Sequence, residues 1–112
     1  MRSGQRRIVI VTCANAAEAR RIAHSVVDRR LAACANILGG PVESIYRWKG
    51  RVEKAREVML LLKTTTQRLS KLEREVKRLH SYEVPEFIVV PILSGSSEYL
   101  AWISDSVSER KA

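Results

Sequence analysis

The amino-acid sequence predicts an α+β fold in which helices cover one face of an antiparallel sheet. Two observations lead to this expectation. The chain has 112 residues, which is enough for one domain with one core. Its apolar patterns run in the order strand, helix, strand, strand, helix, strand, and a short helix follows. That order is the split βαβ pattern of a ferredoxin-like sandwich, so we expect a single domain over residues 1–112.

The first strand and the first helix are the most clearly marked elements. Residues 7–13 read RIVIVTC, a β-branched run typical of a central strand that is covered on both faces. Asn15 then offers a helix N-cap, and Glu18 stands three residues later, as in a capping box. Apolar residues follow at helical spacing, which predicts a helix over about residues 16–30.

A long hairpin is predicted in the middle of the chain. Residues 31–38 (LAACANIL) and 42–48 (VESIYRW) favour one long strand with a kink or bulge at Gly39-Gly40-Pro41. Lys49-Gly50 is a tight-turn signal, and the returning strand is expected over Arg51–Thr65.

Two aromatic side chains lie on one face of one arm of this hairpin. Tyr46 and Trp48 are two residues apart in the strand, and exposed aromatic residues of this kind are typical anchors of protein interfaces. Packing of Trp48 against the turn within a monomer is the alternative interpretation.

The second half of the chain repeats the helix-then-strand order. Thr65 or Thr66 is expected to cap a second helix, whose apolar stripe is Leu69, Leu72, Val76 and Leu79. A loop over residues 80–86 precedes a fourth strand over Phe87–Val90 with Ile92, and Pro91 indicates that this strand lies at an edge or ends early. A short third helix marked by Tyr99 to Val107 and a frayed tail, SERKA, complete the chain.

The charge balance raises the possibility of a nucleic-acid partner. The 20 Lys and Arg residues against 12 Asp and Glu residues give a net charge of +8, which favours contact with anions. The basic residues are spread over the N-terminal arm, the hairpin and the second helix, as in solvated faces. RNA-recognition domains share the strand order but stack bases on aromatic residues of their central strands. RIVIVTC and EVMLLLK contain no aromatic residue, so specific nucleic-acid binding stays the weaker hypothesis.

Cysteine usage and hydropathy favour a cytoplasmic protein. Cys13 and Cys34 are the only cysteines, and no CxxC motif is present, so neither a zinc knuckle nor a thioredoxin site is expected. The longest apolar run, Val58–Leu62, is far shorter than the roughly 20 residues of a membrane helix. The N-terminal apolar stretch is too short for a signal peptide, and a structural disulfide is therefore not expected.

Four ordered motifs resemble the CutA family of divalent-cation tolerance proteins. They are LAACANI (31–37), SIYRWKG (44–50), LLLKTT (60–65) and LHSYEVPE (79–86), and the resemblance covers about residues 8–107. It implies a ferredoxin-like subunit in a tight homotrimer, in which strands of neighbouring subunits extend each other's sheets. Such trimers are similar to the PII-type signalling trimers. The resemblance also implies a role in tolerance of copper and other divalent metals, as a binding or signalling module rather than an enzyme.

His80 is the foremost metal candidate. A neutral imidazole is the commonest protein metal ligand, and Glu83 or Glu86 is placed to ligate or to orient it. The alternative is a helix C-cap, because the helix macrodipole favours a cation there. In the family that this chain resembles, copper ligation is attributed to a histidine at this position.

The thiol ligand is less certain from sequence. In one form of the family an adjacent second histidine and a first-strand cysteine assist, but Leu79 and Val11 stand at those positions here. Cys13 lies two residues after Val11 on the same strand face and is a possible substitute. Cys34 is the other candidate thiol, with a small buried residue as the alternative. A thiol within reach would favour copper, and no cofactor is expected to be obligatory.

Three further residues fall within the family-like motifs. Lys63, Tyr82 and Glu86 could line an intersubunit pocket for a metal ion or a small anionic ligand; the alternative is a surface lysine and a hydrogen-bonded tyrosine. An enzyme with an intersubunit small-molecule site therefore stays open as a hypothesis. No catalytic constellation is recognisable, because a cysteine–histidine pair lacks an identifiable third group to orient it.

Overall fold

The computed structural model describes residues 5–108, so most of the tail predicted to fray lies outside the described residues. The strands are β1 (Arg6–Cys13), β2 (Cys34–Ile37), β3 (Val42–Trp48), β4 (Arg51–Thr65) and β5 (Ile88–Pro91). The helices are α1 (Ala16–Asp28), α2 (Leu69–Leu79) and α3 (Ser97–Ser106), and a single 3-10 turn over Thr66–Arg68 leads into α2. The predicted order of strands and helices is confirmed.

The five strands form an antiparallel sheet in which β4 and β1 are central. The strand order is β2-β4-β1-β5, and β3 pairs with a more distal part of β4. β1 pairs with β4 along its whole length, from Arg6 opposite Thr65 to Cys13 opposite Val58. In the described part of the chain β5 pairs only with β1, and it ends at Pro91, as the proline predicted.

The strand predicted to be continuous across Gly39-Gly40-Pro41 is two strands that share one partner. Ile37 pairs with Leu60, and Val42 pairs with Glu57. Residues 38–41 of this arm therefore face only residues 58 and 59 of β4. The extra residues of this arm form a bulge, in which the Leu38 N–H donates to the Met59 carbonyl at 3.0 Å.

The main core lies between the sheet and the two long helices. Alternate residues of the central strands contact the apolar stripes of α1 and α2; the fully buried members are Val9, Val11, Cys13, Leu60, Leu62, Ile22, Val26, Leu72 and Val76. Burial of each large aliphatic side chain contributes roughly 1.5–3 kcal/mol. The intervening Ile8 and Ile10 are only half-buried, so the expected cover on both faces of β1 is incomplete in a single chain.

The helix caps agree with the sequence at one position and differ at another. The Asn15 side chain accepts a hydrogen bond from the Glu18 N–H at 2.8 Å, which confirms the N-cap of α1. The predicted threonine cap of α2 is wrong: Thr65 makes no side-chain cap bond, because the chain enters α2 through a 3-10 turn. α1 ends at Asp28, two residues before the predicted limit, and Arg30 follows with a φ of 60°.

The basic residues of the hairpin are solvated, as their pattern predicted. All five of them are exposed: Arg47, Lys49, Arg51, Lys54 and Arg56. Arg68 is different, since it is 8% exposed and its Nε donates to the Arg30 carbonyl at 3.1 Å. Within residues 5–108, no helix is long and apolar enough to cross a membrane.

Candidate functional site

Three potential metal ligands meet at one end of the central sheet. Cys13 is the last residue of β1, Glu18 lies in the first turn of α1, and His80 directly follows α2. Their ligand atoms, a thiol sulfur, a carboxylate oxygen and an imidazole nitrogen, all lie within 4.8 Å of one another. The short connection from β1 to α1 and the end of α2 beside it produce this convergence.

Hydrogen bonds fix the orientation of the His80 ring, whose side chain is 0% exposed. Nε2 donates to the Thr12 carbonyl at 2.7 Å, and Nδ1 accepts the Tyr82 N–H at 3.1 Å. This pair of bonds requires a neutral imidazole with its proton on Nε2. His80 is also the C-cap residue of α2, since its own N–H donates to the Val76 carbonyl, but its side chain points into the core.

The Nδ1 atom of His80 faces the carboxylate of Glu18. Nδ1 lies 3.4 Å from the Glu18 Oε2 atom, and Glu18 is 4% exposed. The same oxygen is 3.5 Å from the Ala14 N–H, so Glu18 does not complete the capping box expected with Asn15. Two electron-pair donors that face each other in a buried site are stabilised by a divalent cation between them.

Cys13 is protonated at neutral pH. Burial, and then the nearby carboxylates of Glu18 and Glu57, raise the pKa of the Cys13 thiol to about 12. A thiol with such a pKa is a poor nucleophile, because the thiolate is the reactive form. The site therefore suits metal ligation coupled to proton release better than covalent catalysis.

The structure brings together two of the predicted metal ligands and adds one that sequence reasoning missed. Cys13 and His80 meet, whereas Glu83 is exposed on the following loop. The sequence pattern around Glu18 indicates only a capping residue. The signal that could have found it is its place in the first turn of a helix that starts beside the end of β1.

Cys34 belongs to a different part of the sheet. Cys13 pairs with Val58 of β4 and Cys34 with Lys63, so they are separated by about 17 Å along β4 at ~3.3 Å per residue. Cys34 is half-buried, so the alternative of a small buried residue is met only in part. Its Sγ lies 3.6 Å from the Asn36 Oδ1 atom, to which the Lys63 ammonium also donates.

An open cleft of about 670 Å³ lies beside the site, between the hairpin and the loop that follows α2. Its lining includes three carboxylates and three aromatic residues: Glu57, Glu83, Glu86, Tyr46, Trp48 and Tyr82. Tyr82 and Glu86 thus line one cleft, as predicted, whereas Lys63 does not line it within this chain. A neighbouring subunit that supplies Lys63 stays a prediction.

The cleft and the buried site share Thr12 and Tyr82. The Thr12 carbonyl accepts from His80, while its hydroxyl donates to Glu86 Oε1 at 3.4 Å. The Tyr82 hydroxyl donates to Glu57 Oε2 at 2.6 Å, and its ring lies 4.7 Å from the His80 ring. Burial and the Glu57 carboxylate raise the pKa of Tyr82, so its phenol stays a proton donor.

Known proteins resemble this chain along nearly its whole length. Residues 7–106 match the family model of CutA1, the divalent ion tolerance protein. The divalent-cation tolerance protein CutA of Thermus thermophilus is 46% identical over 99 residues, which cover 88% of this chain and 95% of that protein. The chloroplastic protein CutA of Arabidopsis thaliana is 41% identical over 99 residues, which cover 88% of this chain but only 54% of that protein.

The three-dimensional comparison agrees with the sequence comparison. The crystal structure of CutA1 from Oryza sativa superposes with a TM-score of 0.90 at 38% identity, covering 96% of this chain and 97% of that chain. The mixed fold of this chain, with five antiparallel strands and three helices in residues 5–108, is therefore similar to the fold of that structure.

Proposed function

The chain belongs to the CutA1 family of divalent ion tolerance proteins, and we propose that it is a trimeric, metal-responsive binding module. The observation that carries the proposal is the convergence of Cys13, Glu18 and His80 within 4.8 Å. A thiol, an imidazole and a carboxylate form a donor set that suits Cu(II) or Zn(II). With the thiol in the set, copper is the ion we expect to bind more tightly.

The three residues have separable roles in holding the ion. The His80 ring is held by Thr12, so its Nδ1 atom is oriented before an ion arrives. Glu18 supplies the buried negative charge, and Cys13 supplies the soft sulfur once its proton is lost. The bound ion would supply positive charge that the two facing donors lack.

A homotrimer is proposed from the edges and surfaces that the single chain leaves open. Within residues 5–108, β3 and β5 each have one unpaired edge, and such edges are usually paired or blunted. Exposed apolar side chains lie on or near them, at Ile45 (66%), Val52 (64%) and Ile88 (50%). Strand pairing between subunits would satisfy the edges and cover these side chains together.

A non-enzymatic role in the cytoplasm completes the proposal. The buried site holds a protonated thiol and a hydrogen-bonded neutral imidazole, and neither is positioned as a nucleophile with its base. Cys13 and Cys34 are both free, and a reducing compartment keeps thiols in that state.

Isothermal titration with Zn(II), and with Cu(II) under anaerobic conditions, tests the metal site. Each of the variants His80→Ala, Glu18→Gln and Cys13→Ala should bind the ion more weakly than the parent. The expected loss of affinity exceeds the ~10–100-fold loss that is typical when a residue that only supports a metal ligand is removed. The matched controls are His24→Ala, on the exposed face of α1, and Cys34→Ala. Parent-like binding by His80→Ala would reject the proposal.

A further inference from the structure

We propose that the outer face of α1 and α2 binds the phosphate backbone of a nucleic-acid duplex, without preference for a sequence. This face is the side of the two helices that points away from the sheet. The buried site of Cys13, Glu18 and His80 and the strand edges proposed to pair in a trimer lie elsewhere, so the inference goes beyond the metal role. Three features support it: the basic residues that the fold brings together, the few acidic residues among them and the scarcity of apolar anchors.

The fold places basic residues of two helices on one surface. In both helices the exposed positions recur every three or four residues, opposite the side chains that pack in the core. α1 and α2 also pack against each other, which joins two basic segments that are far apart in sequence. Seven exposed basic residues make up this surface, which we call the basic helix face: Arg20, Arg21, Arg29, Lys71, Arg74, Lys77 and Arg78.

Few acidic residues balance this charge. Besides the buried Glu18, the two helices contain three acidic residues: Asp28, Glu73 and Glu75. Against the seven basic residues they leave an excess of four positive charges, which is half of the net charge of +8. Within residues 5–108, no ion pair or hydrogen bond engages the side chains of Arg20, Arg21 and Arg74. A surface of this kind attracts a polyanion and releases its counterions.

Two arginines share one buried carboxylate where the helices meet. The Nε atom of Arg29 lies 3.4 Å, and the Nη2 atom of Arg78 2.7 Å, from the same Oε2 atom of Glu75. One carboxylate neutralises only one of the two guanidinium charges, and both arginine side chains stay more than half exposed, at 58% and 57%. Each guanidinium has five N–H donors, more than Glu75 occupies. Because guanidinium groups bind phosphate oxygens in a bidentate manner, the remaining donors suit a phosphate that approaches from solvent.

The side chains of the face favour a duplex over other anionic partners. Neither helix contains Trp, Tyr or Phe, and Val27 is the one exposed large hydrophobic residue in these two described helices. Protein interfaces depend on aromatic anchors, amphipathic membrane helices on an apolar face, and sites for single strands on aromatic platforms for the bases. A duplex presents one negative charge per roughly 1.7 Å of its axis. Contacts to phosphates carry no sequence information, so this proposal does not require the specific binding that the sequence disfavours.

Fluorescence anisotropy of a fluorescein-labelled DNA duplex of roughly 24 base pairs tests the proposal. The whole protein is titrated at about 50 mM salt with EDTA present, so a failure of the metal site does not affect the result. We expect saturable binding that is equal for two duplexes of unrelated sequence. About three to five phosphate contacts predict that the logarithm of the association constant falls with the logarithm of the salt concentration, with a slope of about −3 to −4.5.

Substitutions assign the binding to the basic helix face. The double variant Arg20→Gln/Arg74→Gln should bind the duplex about tenfold more weakly, and its salt slope should be shallower by about two. Arg51→Gln/Lys54→Gln removes two exposed charges of the hairpin instead and is the control with the same net charge. Its affinity should change by less than about twofold. Circular dichroism confirms that each variant is folded.

Four outcomes would overturn the proposal. The first is a parent protein that shows no saturable binding, and the second is equal weakening by both double variants, which would assign the attraction to net charge alone. The third is displacement of the labelled duplex by poly-L-glutamate as readily as by unlabelled duplex of equal charge, because an acidic protein would then fit the face as well. The fourth is equal displacement by phosphatidylserine vesicles, which would favour a membrane surface.

Discussion

The Tyr82 N–H donates to Nδ1 of His80 at 3.1 Å, and the same nitrogen lies 3.4 Å from Glu18 Oε2. The lone pair that faces the buried carboxylate is therefore already engaged by the loop that follows α2. Residues 81–84 and 86 of that loop line the open cleft. An ion bound through Nδ1 has to compete with the Tyr82 N–H for the same lone pair. Because Tyr82 also lines the cleft, this competition connects the buried site to the cleft.

Hydrogen exchange should report this competition. When Zn(II) is added, the Tyr82 amide loses its acceptor, so its exchange rate should rise while amides of β1 and β4 keep theirs. Exchange followed by mass spectrometry or NMR, with and without Zn(II), measures the effect. His80→Ala is the control, because its Tyr82 amide should exchange fast in both conditions. A Tyr82 amide that becomes more protected in the parent would contradict the competition.

Proton release should accompany metal binding. The pKa of Cys13 is raised to about 12, so ligation must displace a proton at every pH below that value. Affinity should therefore increase as pH rises through the neutral range. Calorimetry in buffers of different ionisation enthalpy counts the released protons.

The cysteine variants locate the released proton. Cys13→Ala should release about one proton fewer than the parent, while Cys34→Ala should release the same number. Equal proton release by the parent and Cys13→Ala would show that the thiol is not a ligand.

Glu75 should make the protein sensitive to acid. The Arg78 guanidinium and the Ser25 hydroxyl donate to its carboxylate and hold the pKa of Glu75 at about 2, against an ordinary value of 4.5. Because the folded pKa is the lower one, this stabilisation is present above pH 4.5 and is lost as pH falls towards 2. The hydrogen bond between Ser25 and Glu75 joins α1 to α2, since Ser25 lies in α1.

Glu75→Gln should lower the free energy of unfolding on the order of 1–2 kcal/mol at neutral pH, and by less near pH 3. Urea denaturation at fixed protein concentration, repeated across pH, measures both values. Glu73→Gln is the matched control: its side chain is 45% exposed and, among the residues that the structure describes, pairs only with the exposed Lys77, so its effect should be small. A loss for Glu75→Gln that does not change with pH would contradict the assignment.

Association should depend on the apolar residues at the sheet edges. The parent should sediment at about three times its chain mass of 12.7 kDa. Ile45→Asp places a charge on the edge strand β3 and should shift the equilibrium towards smaller species. Val27→Asp, at a side chain 40% exposed on α1, is the control and should stay associated. A parent that sediments as a folded monomer at micromolar concentration would refute the trimer.

Local patterns predicted the elements of the fold better than the contacts between them. RIVIVTC, the Lys49-Gly50 turn and Asn15 each carry their signal within a few residues, and each forms the expected structure. A bulge forms at residues 38–41 where the sequence predicts a continuous strand. The register of this arm is set by β4, which is distant in sequence. The 3-10 turn before α2 likewise left Thr65 without a capping role.

The candidate site shows the same limit. Residue type predicts His80 and Cys13 as ligands but not Glu18, since the contact between the Glu18 carboxylate and His80 joins residues that are far apart in sequence. Lys63 was grouped with Tyr82 from motif position, whereas in this chain it contacts Asn36. Glu57 directly precedes an apolar run, and the Tyr82 hydroxyl that donates to its carboxylate comes from 25 residues away in sequence.

X-ray absorption spectroscopy of the Zn(II)-loaded protein tests the metal site most directly. The account predicts one sulfur scatterer at about 2.3 Å together with imidazole and carboxylate scatterers at about 2.0–2.2 Å. Cys13→Ala should lose the sulfur, and Cys34→Ala should keep it. A spectrum with no sulfur in the parent, or one whose sulfur persists in Cys13→Ala, would contradict the assignment of the ion to Cys13, Glu18 and His80.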